Sequence, residues 1–344
     1  MKPKERVLRA IRRQETDRPP LDIDVAGDVA ERLQSDLGLA SWEEVRRFLQ
    51  VDMRGVGIGA YTGPQRLTPD GEPADFWGGT GGGTYADSIG YRPLQNADSV
   101  DDIYDYTWPD PADFDYSNVE RDCDEFADYA TRGSSWAPIF CLACSLCGME
   151  TMLCNMVAMP EVAKAVLDRV TDVYLEMNQR MFEAARGKLD ICYMGDDFGS
   201  QQGLLMSPET FRAMIKPNLR RLYAHAKECG LITMHHSCGS VVDVIPDLIE
   251  IGVDVLDPVQ VRANGMDPAT LKRRFGNKLA FHGAIDTQHT LPFGTAEEVR
   301  AQVREMIAIL GDGGGYIVCG SQTLISDIPT PNILAMCDEA IKHR

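Results

Sequence analysis

The segment LITMHHSCGSVVDVIPDLIEIGVDVLDPVQ, residues 231–260, contains two short apolar runs separated by a stretch of helical character. The runs at 232–236 and 253–257 are nearly continuous in hydrophobicity, which is typical of strands buried on both faces of a parallel sheet. A strand, a helix and a second strand in direct succession predict a βαβ unit, from which parallel α/β folds are built.

The same alternation continues on both sides of this segment. Helix ends recur between the apolar runs: Ser41 with Glu44 and Thr295 with Glu298 have the spacing of capping boxes, and Ser207 precedes a proline. Six further strands are predicted at residues 21–25, 53–59, 136–142, 190–194, 279–283 and 316–319. Eight parallel strands close most naturally into a barrel, and a doubly wound open sheet is the alternative.

Residues 62–120 interrupt the alternation, and we predict a hairpin plus an irregular lid between the second and third strands. The glycine-rich stretch GGTGGGT, residues 78–84, lacks the GK[ST] ending of a phosphate loop, so a flexible hairpin or lid is favoured there. No linker separates two folding units. We therefore expect one α/β domain over residues 1–344, a single (β/α)8 TIM barrel with an N-terminal helical extension.

The composition is that of an acidic globular protein. Of the 344 residues, 44% are hydrophobic and 25% are charged, and the net charge is −18. This charge argues against nucleic acid as a partner, and an anionic substrate would need locally placed arginines. Without a secretory signal or an apolar run of transmembrane length, we expect a cytoplasmic protein with no membrane partner. Its ten cysteines are then reduced thiols or metal ligands.

Two motifs, MHHSCGS at 234–240 and YIVCGS at 316–321, carry the residues that suit a metal ion. His236 and Cys238 are two residues apart at a strand end and share a face, while Cys319 ends the eighth strand. Carboxyl ends of barrel strands converge, so the three can meet around one zinc ion and leave a fourth position for substrate. Buried thiols beside a core histidine are the alternative. Two thiolates already neutralise the ion, which favours thiol alkylation over hydrolysis.

Several stretches resemble the uroporphyrinogen decarboxylase superfamily: RVLRAIRRQETDRPP, GMETML, GDDFGSQQGLLMSPETF, HHSCGSVVDVIPDLIEIGVDVLDPVQ and GMDPATLKRRFG. The resemblance implies a (β/α)8 barrel. True decarboxylases of this superfamily carry an N-terminal RQAGRY-like motif, whereas the sequence after RPP here reads LDIDVAGDVAERL, with no arginine before Arg32. The other branch, which includes coenzyme M methyltransferases and corrinoid O-demethylases, has a zinc pattern HxC…C that His236, Cys238 and Cys319 match.

Membership of that branch implies a zinc-dependent methyltransferase. Such an enzyme would transfer a methyl group between cobalamin, carried on a separate corrinoid protein, and a small thiol or a methoxylated or methylated compound. The direction of transfer is open. A tetrapyrrole decarboxylase and a corrinoid- or tetrapyrrole-binding scaffold without catalysis are the alternatives. The oligomeric state is open, with a homodimer as one option.

Other polar residues near predicted strand ends are candidates for the same site. Glu150 is either a temporary fourth zinc ligand or a solvated glutamate. Asp196 and Asp197 follow the fourth strand, where one of them binds substrate or orients His236, or where they cap the next segment. The remaining candidates are expected to line the substrate pocket: Gln260, Asp286 and His282, the last of which is alternatively a barrel-interior residue.

Two further features have mainly structural interpretations. Cys141, Cys144 and Cys147 form a C-x2-C-x2-C run that invites an iron–sulfur interpretation, but the expected continuation C-x3-C-P is absent. Packed thiols, or one reactive thiol at the third strand's rim, are the alternatives. His235 should point away from the metal ligands and is expected to be a packed, hydrogen-bonded histidine.

Overall fold

The computed structural model describes residues 1–80 and 90–343, in which seven parallel strands form a sheet curled into a half-barrel. Apart from a separate hairpin, the strands lie side by side in chain order, and each pairs in parallel with the next. In chain order the strands are β1 (Met53–Gly55), β2 (Arg66–Leu67), β3 (Pro73–Ala74), β4 (Ala130–Trp136), β5 (Ile191–Gly195), β6 (Ile232–His236), β7 (Val255–Val259), β8 (Ala280–Ile285) and β9 (Tyr316–Gly320).

Helices connect the successive strands of the sheet. Their ends carry the expected signals: Thr295 and Glu298 form a complete capping box, and the Ser207 side chain accepts the Thr210 N–H. A π-helical turn, Phe211–Ile215, precedes α10. The α-helices of the described residues are α1 (Pro3–Ile11), α2 (Gly27–Leu37), α3 (Trp42–Phe48), α4 (Val100–Asp105), α5 (Asn118–Glu125), α6 (Ile139–Cys147), α7 (Met149–Ala158), α8 (Pro160–Ala185), α9 (Pro208–Thr210), α10 (Lys216–Glu228), α11 (Ile245–Glu250), α12 (Pro268–Phe275), α13 (Thr290–Phe293), α14 (Ala296–Leu310) and α15 (Thr330–Lys342).

Apolar side chains fill the amino-terminal end of the sheet. The N-terminal helix α1 contributes Val7 and Ile11, and these pack against residues near the start of each strand. The strand residues of this cluster are Met53, Ala130, Ile191, Met234, Val255, Ala280 and Ile317. Because this end is filled by apolar groups, polar chemistry is left to the carboxyl ends of the strands.

The segment before β1 connects the two edges of the sheet. Leu21 forms an isolated parallel bridge with Val318 of β9, and Asp22 N donates to the Val318 carbonyl at 2.9 Å. On the other side, Asp52 N donates to the Leu21 carbonyl at 2.8 Å. In place of the strand predicted at 21–25, this segment forms only isolated bridges, but its backbone is hydrogen-bonded to both edges of the sheet.

The buried carboxylate of Asp52 strengthens this connection. Its Oδ1 accepts from Arg6 Nη1 at 2.6 Å, and its Oδ2 accepts from Arg18 Nη1 at 2.8 Å and from Leu21 N at 2.9 Å. The side chain of Asp52 has no solvent exposure. These donors therefore replace the water that the carboxylate loses on folding.

We expect the substitution Asp52→Ala to lower the free energy of unfolding by about 3–5 kcal/mol, because buried Arg18 would lose its ion partner and buried Arg6 would keep only Asp17. Urea denaturation measures the loss, and hydrogen exchange should show faster exchange at the Leu21 amide. Asp128→Ala is the control, since that exposed carboxylate pairs with exposed Lys2; its urea midpoint should stay unchanged. An Asp52→Ala midpoint equal to that of the control would contradict the role of the carboxylate.

The prediction of the third strand at 136–142 is wrong, because β4 ends at Trp136 and most of this apolar run lies in α6. Pro138 immediately precedes the helix, and the carboxylate of Asp196 accepts from Phe140 N at 2.6 Å and from Cys141 N at 2.9 Å. These contacts satisfy donors of the first helical turn. Strand β4 has the sequence ATRGSSW, and these largely polar residues lack the apolar run from which the other strands were predicted.

The excursion at 62–120 contains the predicted hairpin, formed by antiparallel β2 and β3, and also α4 and the start of α5, which were not predicted. Residues 81–89, with most of the GGTGGGT stretch, lie outside the described residues. In the described part of the chain, no single helix is long and apolar enough to cross a membrane; α6 and α7 pass that test only as a pair bent by 104°.

Candidate metal and substrate site

A cavity of about 620 Å³ lies at the carboxyl ends of the strands. This is the end of parallel α/β barrels where catalytic residues are found. Because neighbouring strands end here, residues far apart in the sequence face one another. The wall residues at or next to strand ends include Trp136, Asp196, His236 and Cys319, and His282 projects from within β8.

Three groups capable of binding a metal ion meet at this end. Ligand atoms of Asp197, His236 and Cys238 all lie within 4.8 Å of one another. Cys238 Sγ is 3.3 Å from His236 Nε2, and Asp197 Oδ1 is 3.7 Å from the same nitrogen. Asp197 Oδ1 also accepts from Cys238 N at 2.8 Å, and Gln322 Nε2 donates to Cys238 Sγ at 2.8 Å. The local backbone and Gln322 thus hold the thiol beside the imidazole.

Asp257 lies behind this cluster and organises two histidines. Its Oδ2 is 2.9 Å from His236 Nδ1 and accepts from the Tyr193 hydroxyl at 2.6 Å. Its Oδ1 is 2.5 Å from His282 Nδ1. Burial opposes the charged form of Asp257, but the charge of His282 and the hydrogen bond to His236 outweigh it and hold the pKa of this carboxyl well below its usual value.

The carboxylate of Asp22 connects His282 to Arg132. His282 Nε2 is 3.2 Å from Asp22 Oδ2, and the guanidinium of Arg132 contacts Asp22 at 3.2 Å and Asp24 at 2.5 Å. The Arg132 side chain also lies 4.6 Å above the Tyr193 ring. Burial opposes ionisation, yet the charges of Arg132 and His282 lower the pKa of Asp22 to about 2. One guanidinium therefore faces two carboxylates.

The donor chemistry of the Asp197, His236 and Cys238 cluster suits zinc, which accepts oxygen, nitrogen and sulfur ligands. The contact from Asp257 to Nδ1 of His236 leaves Nε2 facing the thiol, which is how carboxylates orient metal-binding histidines. Burial opposes protonation of His236, but its hydrogen bonds to Asp257 and Cys238 raise the pKa of the imidazole well above its usual value. The residues present therefore fit the ion.

Comparison with known proteins shows to which family the chain belongs. Residues 99–343 match the protein family described as uroporphyrinogen decarboxylase (URO-D). The chain belongs to the URO-D family. The methylated-thiol–coenzyme M methyltransferase of Methanosarcina mazei is 27% identical over 225 residues, which cover 63% of this chain and 57% of that protein. A solved methyltransferase structure from Methanosarcina mazei covers 99% of both chains with a TM-score of 0.67 and 17% identity, a likeness in fold.

Two of the predicted zinc ligands of this URO-D family member, His236 and Cys238, are in contact. Cys319 lines the same cavity but, within residues 1–80 and 90–343, does not join them in a set of ligand atoms within 4.8 Å; Asp197 does. Cys319 is buried beside His282. Burial raises the pKa of the Cys319 thiol, and the charge of His282 opposes that shift.

Only some of the other predicted site residues line the main cavity. Asp196 caps α6, a helix earlier in the chain, rather than the segment that follows it; burial raises the pKa of this carboxyl to about 7. Glu150 is exposed in the first turn of α7 and does not line the cavity. Gln260 and Asp286 line an adjacent cavity of about 340 Å³. His282 lies in the interior of the sheet and also lines the main cavity.

The cysteine run lies in α6, and its first member, Cys141, lines the main cavity. Cys141, Cys144 and Cys147 are all buried. Burial raises the pKa of all three thiols, that of Cys147 to about 12. Because iron–sulfur ligation requires thiolates, these surroundings favour the interpretation of packed thiols.

The sequence analysis missed Asp257, Tyr193 and Trp136 as site residues. Asp257 was included in a predicted strand, and a carboxylate inside an apolar run was a signal that it needs a buried partner. Tyr193 likewise lay within a predicted strand, with its hydroxyl now bonded to Asp257. Trp136 had no comparable signal, because its strand was displaced in the prediction.

His235 is packed and hydrogen-bonded as predicted. Its Nδ1 is 2.6 Å from the Tyr223 hydroxyl and its ring stacks on Phe198 with centroids 5.5 Å apart. Burial lowers the pKa of His235 to about 3. In the unfolded chain this group titrates near its usual value of 6.5, so the unfolded state binds the additional proton between these values.

We therefore expect His235 to destabilise the fold as the pH falls from 6.5 towards 3, with a slope approaching about 1.4 kcal/mol per pH unit. Urea midpoints measured across this range would show it. The variant His235→Gln has no group that titrates there, so its stability should fall less steeply, although it is less stable at pH 7. Equal slopes for the variant and the unmodified chain would contradict the assignment.

Proposed function

We propose that this chain is a zinc-dependent methyltransferase that moves a methyl group between a corrinoid protein and a small thiol or a methoxylated or methylated substrate. The observation that carries the proposal is the contact between His236 and Cys238 at the rim of the cavity, with Asp257 behind the imidazole. The URO-D family and the methyltransferase relatives support the same reaction class.

His236, Cys238 and Cys319 would hold the zinc ion and leave a fourth position for substrate, with the carboxylate of Asp197 close to the ligand atoms of His236 and Cys238. When bound, zinc would lower the pKa of a substrate thiol or polarise the heteroatom that carries the methyl group. Asp257 fixes the imidazole, and Gln322 donates to Cys238 Sγ, which holds the sulfur in position beside it.

The protein around the site limits access by water. The Trp136 ring lies 5.4 Å from the His236 ring and 5.0 Å from the Tyr193 ring, so it covers one side of the imidazole. The cavity opens at the carboxyl ends of the strands. A corrinoid protein of the cytoplasm would have to present its cobalt at this opening.

The remaining features of the proposal concern the fold. We propose that residues 1–344 form one domain and that the segment around Leu21 closes the sheet into a (β/α)8 barrel. Its hydrogen bonds to β9 and to Asp52 support this closure. The excursion at 62–120 would serve as the lid.

Methyl transfer to and from free cobalamin tests the function. Purified zinc-loaded protein is mixed with cob(I)alamin and methylated compounds, or with methylcobalamin and thiols, and the corrinoid spectrum is followed. We expect methylation or demethylation of cobalamin that depends on the protein. Uroporphyrinogen serves as the competing substrate. Its conversion to coproporphyrinogen, without any methyl transfer, would replace the proposal by the decarboxylase alternative.

A further inference from the structure

The main cavity has an unusual charge distribution for a site that would hold an anion. Its described walls contain four carboxyl groups, those of Asp24, Asp196, Asp197 and Asp257, against two basic side chains, the imidazoles of His236 and His282, and no lysine or arginine. Residues 81–89, which lie outside the described part, contain neither residue type in the sequence. The guanidinium of Arg132, which contacts the wall residue Asp24, is engaged by two carboxylates. Negative charge is therefore in excess around the cavity.

Asp24 presents part of this charge to the cavity. Its Oδ1 accepts from Arg132, while the side chain retains 40% of its solvent exposure. Arg132 also pairs with buried Asp22. Since one positive charge is shared between two carboxylates, Asp24 can still attract a cation.

Trp136 provides an exposed aromatic surface in the same cavity. The indole retains 41% of its exposure, although it is held between the Tyr193 and His236 rings. Trp136 and Ala137 both have positive φ, 69° and 48°, a conformation that non-glycine residues adopt only when their surroundings enforce it. Gly195 permits this placement, because a Cβ there would lie 2.5 Å from the indole ring. The chain thus holds the indole at the cavity at a conformational cost.

We propose that the cavity binds a methylated onium cation, an ammonium or sulfonium headgroup, against the face of Trp136 and beside Asp24. An aromatic face and a carboxylate are the two groups that bind alkylated cations in water. The inference rests on the proposed function, because it names the class of methyl compound that this site would accept. Transfer of a methyl group to the corrinoid cobalt leaves the bonding electron pair on nitrogen or sulfur. A sulfide product is then neutral, whereas an amine product regains a positive charge only by taking up a proton from water.

The same walls disfavour two other classes of substrate. A sulfonate or carboxylate would face carboxylates without an available guanidinium or ammonium group. A neutral methoxy-aromatic compound could stack on the indole but would gain nothing from Asp24. The onium cation alone uses both the exposed ring and the excess negative charge.

Binding to the purified full-length chain tests the proposal without any need for turnover. Calorimetric titrations would compare choline with 3,3-dimethyl-1-butanol, which has the same shape but no charge. Coenzyme M, an ethanesulfonate thiol, and 2-methoxyphenol represent the anionic and aromatic classes. We expect choline to bind about tenfold more tightly than its neutral isostere, with an affinity that falls as salt is added. Equal affinities, tighter binding of either other probe, or no binding of choline would overturn the proposal.

Variants locate the binding surface. Trp136→Leu should weaken choline binding about tenfold, and Trp136→Phe should weaken it less, because a smaller aromatic face remains. Asp24→Asn should weaken choline binding and leave binding of the neutral isostere unchanged. Phe293→Leu is the matched control, since this exposed ring lies on α13 outside the cavity. Loss of choline binding in the control, or retention in both Trp136 variants, would place the cation elsewhere and refute the assignment.

The outcomes separate this inference from the proposed function. Methyl transfer from neutral donors, combined with no binding of choline, would refute the onium class and leave the methyltransferase proposal intact. Specific binding of choline with no methyl transfer from any donor would refute the methyltransferase and leave the cation site.

Discussion

Purified Cys238→Ser protein should contain almost no zinc, whereas the unmodified chain should contain about one ion per molecule. A hydroxyl is a much poorer zinc ligand than a thiolate, and Cys238 is the sulfur that contacts His236 Nε2. Methyl transfer should fall with the metal. Elemental analysis after dialysis against a weak chelator measures the content, and circular dichroism verifies that the variant is folded.

Parallel variants identify the other ligands. Loss of zinc in Cys319→Ser, with retention in Asp197→Asn, would support the ligand set inferred from the sequence. The reverse result would support the cluster of Asp197, His236 and Cys238 in which ligand atoms lie closest. Cys123→Ser is the matched control, because this buried cysteine on α5 does not line the cavity. Full zinc content in Cys238→Ser would refute the metal assignment altogether.

The strands were predictable from the sequence wherever a strand buried in the structure is also a continuous run of apolar residues. The segment 232–236 was predicted with the bounds that β6 has, because the strand is buried or partly buried along its whole length. Strand β4 was missed because its burial depends on partners across the sheet: Arg132 lies in β4 and is buried by Asp22 and Asp24. Local hydrophobicity cannot report a charge that is neutralised by residues more than a hundred positions away.

The site was predictable to the extent that its residues are close in the sequence. His236 and Cys238 share a motif, and their contact follows from the alternation of side chains along a strand end. Asp197 and Gln322 contact Cys238 only in the folded chain. From the sequence, Asp197 was predicted as a residue near a strand end, and Gln322 was not predicted. The position of Trp136 depends on positive φ angles at two consecutive residues, and no adjacent glycine in the sequence indicates such angles.

Asp257 is the residue on which the proposed metal site depends most strongly without being a ligand. Its carboxylate contacts His236, His282 and Tyr193, and its side chain is 4% exposed. Burial opposes the charge of both imidazoles, but their acidic partners, Asp257 among them, raise both pKa values well above the usual 6.5. In the metal-free protein, these histidines therefore contribute stability that is fully present below pH 6.5 and is lost as the pH rises through the raised values.

We expect Asp257→Asn to lower zinc affinity about 10–100-fold and to lower the free energy of unfolding by about 3–5 kcal/mol, because an amide keeps the shape but cannot neutralise the imidazoles. In the metal-free protein the loss should be largest between about pH 4 and 6.5, where the imidazoles are charged in both states. Competition with a zinc chelator measures the affinity, and urea denaturation at several pH values measures the stability. Asp338→Asn is the control, since its carboxylate is exposed on α15 and should change neither quantity. A purely structural role for Asp257 would lower stability equally at every pH and leave zinc affinity unchanged in the folded variant, and that result would contradict the proposed orientation of His236.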